Sequence, residues 1–342
     1  MKPKIALLFC GGTIGMVSDQ HTNYLKPAND AGTILSFVPE LKNKIQLDFY
    51  PVFNIDSSNM TPHHWNIIST TIKELYNDYD GFVVAQGTDT MAYTSSAISF
   101  TLQNLSKPIV FTGSMVPLSE LGADGRTNLI YSCMVASMDI AEVCIVFGWK
   151  IIRANRSKKN HESFVDVFGS PNYPLLGEIE RPIRIFDWAK KRRKRTLKFQ
   201  PEFESNIRLV KLYPGFQPDS LERMVESGAK GIIIEGFGAG NIPFLEGNSI
   251  LPYIKNAIKH NVPIILTTQL ERSKTNLKTY EAGYKALELG VIPAGDMTVE
   301  AIIAKLMWAL KSTNNISQLR KIMQTNLVGE LTEDNEENPT HF

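Results

Sequence analysis

The sequence predicts an α/β protein of two wound domains with largely parallel sheets, a larger one at the N-terminus and a smaller one at the C-terminus. Two observations carry this. Short β-branched and apolar runs recur, each followed by a turn and then a helical pattern. The series is interrupted once, by a polar and highly charged segment at residues 187–205. Length agrees, because 342 residues exceed one ordinary domain.

In the first series, residues 5–9 lead into Gly11-Gly12-Thr13-Ile14-Gly15. Residues 81–85 lead through Gln86 into Gly87-Thr88-Asp89-Thr90 and a helical stretch at 93–105. Residues 109–112 lead into Gly113-Ser114-Met115-Val116-Pro117, and residues 144–147 close the series. These runs are continuously apolar, as strands covered on both faces require, and alternation with helices implies right-handed βαβ units. A second series has strands at 207–212, 231–235 and 263–267, with amphipathic helices at 219–227, 250–259, 280–289 and 299–310. The boundaries follow: a catalytic domain at 1–189, a charged linker at 190–206 and a second α/β domain at 207–342. The acidic tail after Leu331 is expected to fray.

Composition narrows the function classes. Hydrophobic residues make up 43% and charged residues 21%, with a net charge of +1, so the molecule as a whole offers little attraction to nucleic acid or anionic membrane. The basic run Lys190–Arg195 has no interleaved aromatics to stack bases and reads as a solvated connector. Cys10, Cys133 and Cys144 form no C-x-x-C pair, so they read as buried thiols in a reducing cytosol. The apolar run after Met1-Lys2-Pro3-Lys4 is short and meets glycines without a cleavage site, so it reads as a first strand and not a leader. No apolar run approaches the roughly 18 residues of a membrane span. A cytoplasmic location is expected.

In an open parallel sheet, ligands bind beyond the carboxyl ends of the strands. Thr13, Thr88, Asp89 and Ser114 fall at such ends, and Asp56-Ser57-Ser58 follows the apolar stretch 47–53. Each residue alone serves equally well as a helix cap. Four clusters at successive strand ends point to a site. Dinucleotide, phosphate-loop and nucleophile-elbow patterns all fail on spacing, and His161-Glu162 does not continue as a zinc motif. Adjacent His63 and His64 suit a surface or helix start. A hydroxyl nucleophile then needs another base, and a lysine can serve if burial or cationic neighbours lower its pKa. Lys159 lies near Arg153, Arg156 and Lys158, which by charge pattern alone is an exposed basic loop or a catalytic one.

Residues 11–16 (GGTIGM), 87–94 (GTDTMAYT) and 111–114 (FTGS) resemble the signatures of the L-asparaginase family. So do Asp56-Ser57-Ser58, Asp124-Gly125, the NRSKK segment and GDMTVEA at 295–301. Their order matches over most of the chain, and the form is most similar to cytoplasmic type I bacterial members. The resemblance implies hydrolysis of the asparagine side-chain amide to aspartate and ammonia, with neither cofactor nor metal. Thr13 would be the nucleophile; Thr88, Asp89 and Lys159 would manage protons, the N-R-[ST]-x-K pattern selecting Lys159 over Lys158. Tyr24 would belong to a lid. Asp89 would face the substrate ammonium, and Asp56, Ser57 and Ser58 the α-carboxylate end. Gly12, Gly87 and Ser114 join the binding set, with backbone N–H groups near the threonine loops holding the oxyanion. Tyr280 would reach across an interface, since the family forms homodimers, often paired into homotetramers.

Two positions depart from the family pattern. Gln86 stands where many members carry histidine, and Glu235 near the GFGAGN turn stands where an effector site would use arginine. The nearest rivals are a glutaminase and a subunit of a transfer-RNA-dependent amidotransferase that frees ammonia from glutamine. That subunit carries an extra N-terminal domain, which a first motif at residue 11 leaves no room for. No nucleic-acid or membrane partner is expected.

Overall fold

The computed structural model describes residues 2–18, 25–27, 36, 38–118 and 120–332. The chain divides into two compact units between Pro201 and Glu202.

The first unit is built on β1 (Lys4–Phe9), buried at every position after the first. Alternate side chains serve opposite layers: Ile5, Leu7 and Phe9 join one apolar core, Ala6, Leu8 and Cys10 the other. β2 (Gln46–Pro51) follows, then α1 (Pro62–Leu75), β3 (Gly81–Ala85), α2 (Met91–Thr101), β4 (Ile109–Thr112), α3 (Gly125–Ala136) and β5 (Val143–Phe147). α1 and α2 cover one face through Ile68, Ile72, Met91 and Ile98, whereas α3 covers the other through Leu129 and Cys133. After β5 the chain reverses into β6 (Lys150–Arg153) and turns into β7 (Lys158–Lys159), β8 (Phe168–Gly169), β9 (Gly177–Glu178) and β10 (Arg184–Ile185). The eight-stranded sheet has the order β10-β9-β6-β5-β4-β3-β1-β2. Strands β2, β1, β3, β4 and β5 run parallel, whereas β6, β9 and β10 extend the edge antiparallel.

This order positions the site. From β1 the chain moves to β2 on one side, then crosses back to β3 on the other. The connection after β1 reaches one face through Val38 and Leu41, whereas α2 after β3 covers the other, so the two loops part beyond their first residues and leave a crevice at the carboxyl ends of the strands.

The expectation of right-handed units does not hold throughout: β3 to β4 and β4 to β5 step the same way along the sheet, but α2 and α3 lie on opposite faces, so the two crossovers have opposite hands. Two further differences are local. The helix expected at 93–105 spans Met91–Thr101, because Leu102 and Gln103 pair antiparallel with Phe199 and Lys198, and Asn104 has φ of 60°. Hydrophobic periodicity does not register a partner that remote in sequence. The basic run is not wholly solvated. The Arg192 guanidinium donates to the carbonyls of Met138, Asp80 and Ala136 at 2.7, 2.8 and 3.0 Å, while Arg193, Lys194 and Arg195 are exposed. Three carbonyl acceptors match the planar donor fork of arginine.

The second unit contains β11 (Ile207–Lys211), α4 (Ser220–Glu226), β12 (Gly231–Gly236), α5 (Leu251–Lys259), β13 (Ile264–Thr268), α6 (Glu281–Leu289), β14 (Ile292–Pro293), α7 (Val299–Ser312) and α8 (Ile316–Gln324). Its four strands are parallel and ordered as in the chain. Lys305 on α7 and Glu330 form a fully buried ion pair, Nζ to Oε1 2.5 Å. Lys305 also donates to the carbonyls of Met323 and Thr325, and Glu330 accepts from the backbone N–H groups of Leu327 and Val328. Burial alone would raise the Glu330 carboxyl; Lys305, with the backbone N–H groups of Val328 and Glu330, holds it below its usual value. Residues 333–342, the expected fraying tail, lie outside the described residues. Among the described residues no helix is long and apolar enough to cross a membrane.

Candidate active site

Three loops meet beyond β1, β2 and β3, and glycine lets them do so. Gly11 and Gly12 have φ of +94° and +88°, a region that costs an L side chain energy. A Cβ on Gly11 would fall 2.4 Å from the Ile55 carbonyl oxygen, and one on Gly12 would fall 2.2 Å from the Gly87 nitrogen. A Cβ on Gly87 would lie 2.6 Å from Ser57 Oγ. The loops bearing Thr13, Ser57 and Thr88 are thus packed at backbone distance. Thr90 Oγ1 adds a hydrogen bond to the Ser57 carbonyl at 2.8 Å.

Thr13 opens a short 3-10 turn and is half-buried; Ser57 and Thr88 are buried. Asp56 caps the turn Ser57–Asn59, its Oδ1 accepting from Ser58 Oγ at 2.7 Å and Ser58 N–H at 2.8 Å. Those two bonds hold the Asp56 carboxyl below its usual value.

Lys159 joins this crevice from the far side of the sequence. Its Nζ donates to Thr88 Oγ1 at 2.9 Å and pairs with Asp89 Oδ1 at 2.5 Å. Its side chain is 16% exposed, against 62% for Asp89. In the charged form the ammonium stabilises negative charge on the Thr88 oxygen. In the neutral form the same nitrogen is placed to accept the hydroxyl proton.

The expectation of an exposed basic loop around Lys159 is corrected. Arg153 and Arg156 are buried. Arg153 is bidentate to Glu142, at 2.6 and 2.9 Å, and both guanidinium carbons lie over the Tyr173 ring, at 4.4 and 4.8 Å. A buried guanidinium needs a carboxylate, and Glu142, the residue before β5, supplies it to Arg153.

The loop after β4 forms a fourth wall. Ser114 is buried and its Oγ donates to the Val116 carbonyl at 2.5 Å. Asp124 accepts from the N–H groups of Met115 and Val116 and from Asn128 Nδ2, each at about 3 Å. Asn128 also donates to the Gly113 carbonyl. Met115, which sequence reasoning did not single out, places its sulfur 3.6 Å from Thr88 Oγ1. Thr90 was likewise missed as a loop tie, although its place in the GTDT motif was the available signal. Gln86 is buried beneath the site, with Nε2 reaching the Gly87 carbonyl and Thr94 Oγ1.

Tyr24 lies outside the described residues. Tyr280 belongs to the second unit, where it precedes α6 and is 57% exposed. His64 marks the start of α1, accepting from the Thr61 N–H at 3.1 Å; burial and then His63 lower its pKa. Among the described residues no group of three or more His, Cys, Asp or Glu side chains is arranged to hold a metal.

The family model described as "Asparaginase, N-terminal" matches residues 4–191, and "Glutaminase/Asparaginase C-terminal domain" matches residues 206–323. The L-asparaginase of Thermococcus kodakarensis is 36% identical, covering 96% of this chain and 99% of its own. The solved structure of the thermostable L-asparaginase from that organism superposes with a TM-score of 0.91 at 34% identity, over 97% of this chain and 100% of the other. L-asparaginase 1 of Escherichia coli K12 is 37% identical, covering 97% of this chain and 99% of its own. A glutamyl-tRNA(Gln) amidotransferase subunit of Pyrococcus abyssi is 36% identical, covering 96% of this chain and 77% of its own. With both domain models matched in order, the chain belongs to the asparaginase family and is an amidohydrolase.

Proposed function

We propose that the protein hydrolyses the side-chain amide of L-asparagine to L-aspartate and ammonia through an acyl-enzyme on Thr13. The observation that carries this reading is Lys159 Nζ held between Thr88 Oγ1 and Asp89 Oδ1, on a loop packed against the one bearing Thr13.

Thr13 Oγ attacks the amide carbon, its proton passing into the nearby hydroxyl and lysine network. The carbonyl π electrons move to oxygen, and backbone N–H groups of the threonine loops stabilise that oxyanion. Collapse of the intermediate breaks the C–N bond, and the nitrogen leaves as ammonia with the relayed proton. Water then attacks the Thr13 ester, its proton passing into the Thr88 and Lys159 network and from there to Thr13 Oγ as the acyl C–O bond breaks, which releases aspartate and restores the Thr13 hydroxyl. Asp89, largely exposed, faces the substrate ammonium, and the Asp56-Ser57-Ser58 turn with Ser114 receives the α-carboxylate end. Exposed Leu245, Leu270, Tyr280 and Tyr284 on the second unit support self-association into dimers or tetramers, with Tyr280 reaching a partner's site.

The test is ammonia release from asparagine and from glutamine by the purified protein, beside Thr13→Ala. Release from asparagine that vanishes in Thr13→Ala is expected. Equal release by both proteins overturns the nucleophile; release from glutamine alone overturns the substrate.

A further inference from the structure

We infer that Lys150 and Asp166 form a clamp that positions Lys159, so that a salt bridge outside the site governs the proposed reaction; this rests on the hydrolase reading above. Lys150 Nζ lies 2.8 Å from Asp166 Oδ2 and donates to the Phe168 carbonyl at 3.1 Å. Phe168 stands opposite Lys159 in the two-residue β7–β8 ladder. The next rung is a single bond, Asn160 N–H to the Val167 carbonyl at 2.8 Å.

So short a ladder has little stability of its own. Its tip adds little, because Phe164 and Val165 are 63% and 52% exposed and Phe164 packs on His161 of the same loop. Apolar anchoring comes from Val167 and from the Phe168 ring, both buried in the core, the ring 5.3 Å from Phe147. Polar anchoring comes from Lys150, which opens β6 and is therefore fixed to the main sheet through β5. The Lys150 side chain is 18% exposed and that of Asp166 39%, yet Asp166 Oδ1 is buried and has no hydrogen-bond partner among the described residues. One carboxylate oxygen is thus shielded from water while the other pairs with Lys150, its compensating charge. Losing either partner releases β8, and β7 with it, so Lys159 Nζ drifts from Thr88 and Asp89. Lys150 and Asp166 are positioning residues, acting through the hairpin.

The experiment compares Lys150→Met, Asp166→Asn, their double variant and Lys150→Arg with wild type. In ammonia-release kinetics each single variant should lose roughly tenfold to a hundredfold in kcat, the scale of a misplaced catalytic group, with KM little changed. The double variant should be no worse than either single one, as members of one unit behave. Lys150→Arg should recover most of kcat. An activity-independent readout is amide exchange of the peptide spanning residues 157–169, which should quicken in Lys150→Met while the rest of the sheet stays protected. Wild-type kcat in Lys150→Met overturns the clamp, as does unchanged exchange in that peptide. A kcat loss that tracks a lowered thermal midpoint and is not restored by Lys150→Arg also overturns it, leaving a purely structural pair. A wild type inert toward both amides sinks the hydrolase reading instead, and the exchange experiment then decides the clamp alone.

Discussion

Gly12 and Gly87 meet backbone to backbone, so that a Cβ on Gly12 would overlap the Gly87 nitrogen at 2.2 Å. No rotamer relieves that contact, because both parties are main chain. Gly12→Ala should therefore separate the two threonine loops, and the positive φ at Gly12 adds a further cost of about 1 kcal/mol. We expect a fall of about tenfold or more in kcat and a lower thermal midpoint. A variant with wild-type kcat would show that the loops tolerate separation.

Lys159 Nζ contacts both Thr88 and Asp89, whereas Lys158 sits one residue back, opposite Gly169. Side chains alternate along an extended strand, so the two lysines point to opposite sides. Lys159→Met should cost roughly a hundredfold or more in kcat, as loss of a proton-transfer group does, with circular dichroism unchanged. Lys158→Met should keep most of the activity. The reverse result would move the role to Lys158.

The Lys305–Glu330 pair is fully buried, and removing one partner strands the other charge. Lys305→Met should destabilise the second unit by about 3–5 kcal/mol in urea denaturation. The pH dependence follows from the depressed Glu330 carboxyl. Its stabilisation is complete above the unfolded carboxyl value of about 4.3 and is lost as pH falls through the lower folded value. The gap between wild type and variant should thus be wide at neutral pH and narrow in acid. A gap independent of pH would exclude Glu330 as the partner that matters.

Burial pushes the Cys133 thiol up to about 12 and raises Cys10 and Cys144 as well. All three side chains are buried. Thiol reagents at pH 8 should leave the native protein unlabelled and modify three sites after urea, read by intact mass. Rapid labelling before unfolding would contradict the packing of both cores in the first unit.

Much of this was legible in the sequence. Continuous apolar runs marked β1, β3, β4 and β5 because strands buried on both faces show no polar alternation. Glycines and small hydroxylated residues at their ends marked the loops. The antiparallel edge was less legible: β6 begins with Lys150 and ends with Arg153, charges that suit a surface loop until Asp166 and Glu142 are seen to pair with them.

Local patterning along the chain thus specifies the chemistry and its order: hydroxyls and carboxylates at successive strand ends, and two units of alternating strand and helix. Which of these groups meet is a property of the folded molecule. The reversal of strand order about β1 seats the Gly12 loop on the Gly87 loop, and a hairpin from beyond β6 carries Lys159 back to Thr88. Apolar periodicity and turn residues encode burial and chain reversal, but contacts between segments distant in the chain exist only once the sheet has aligned its strands.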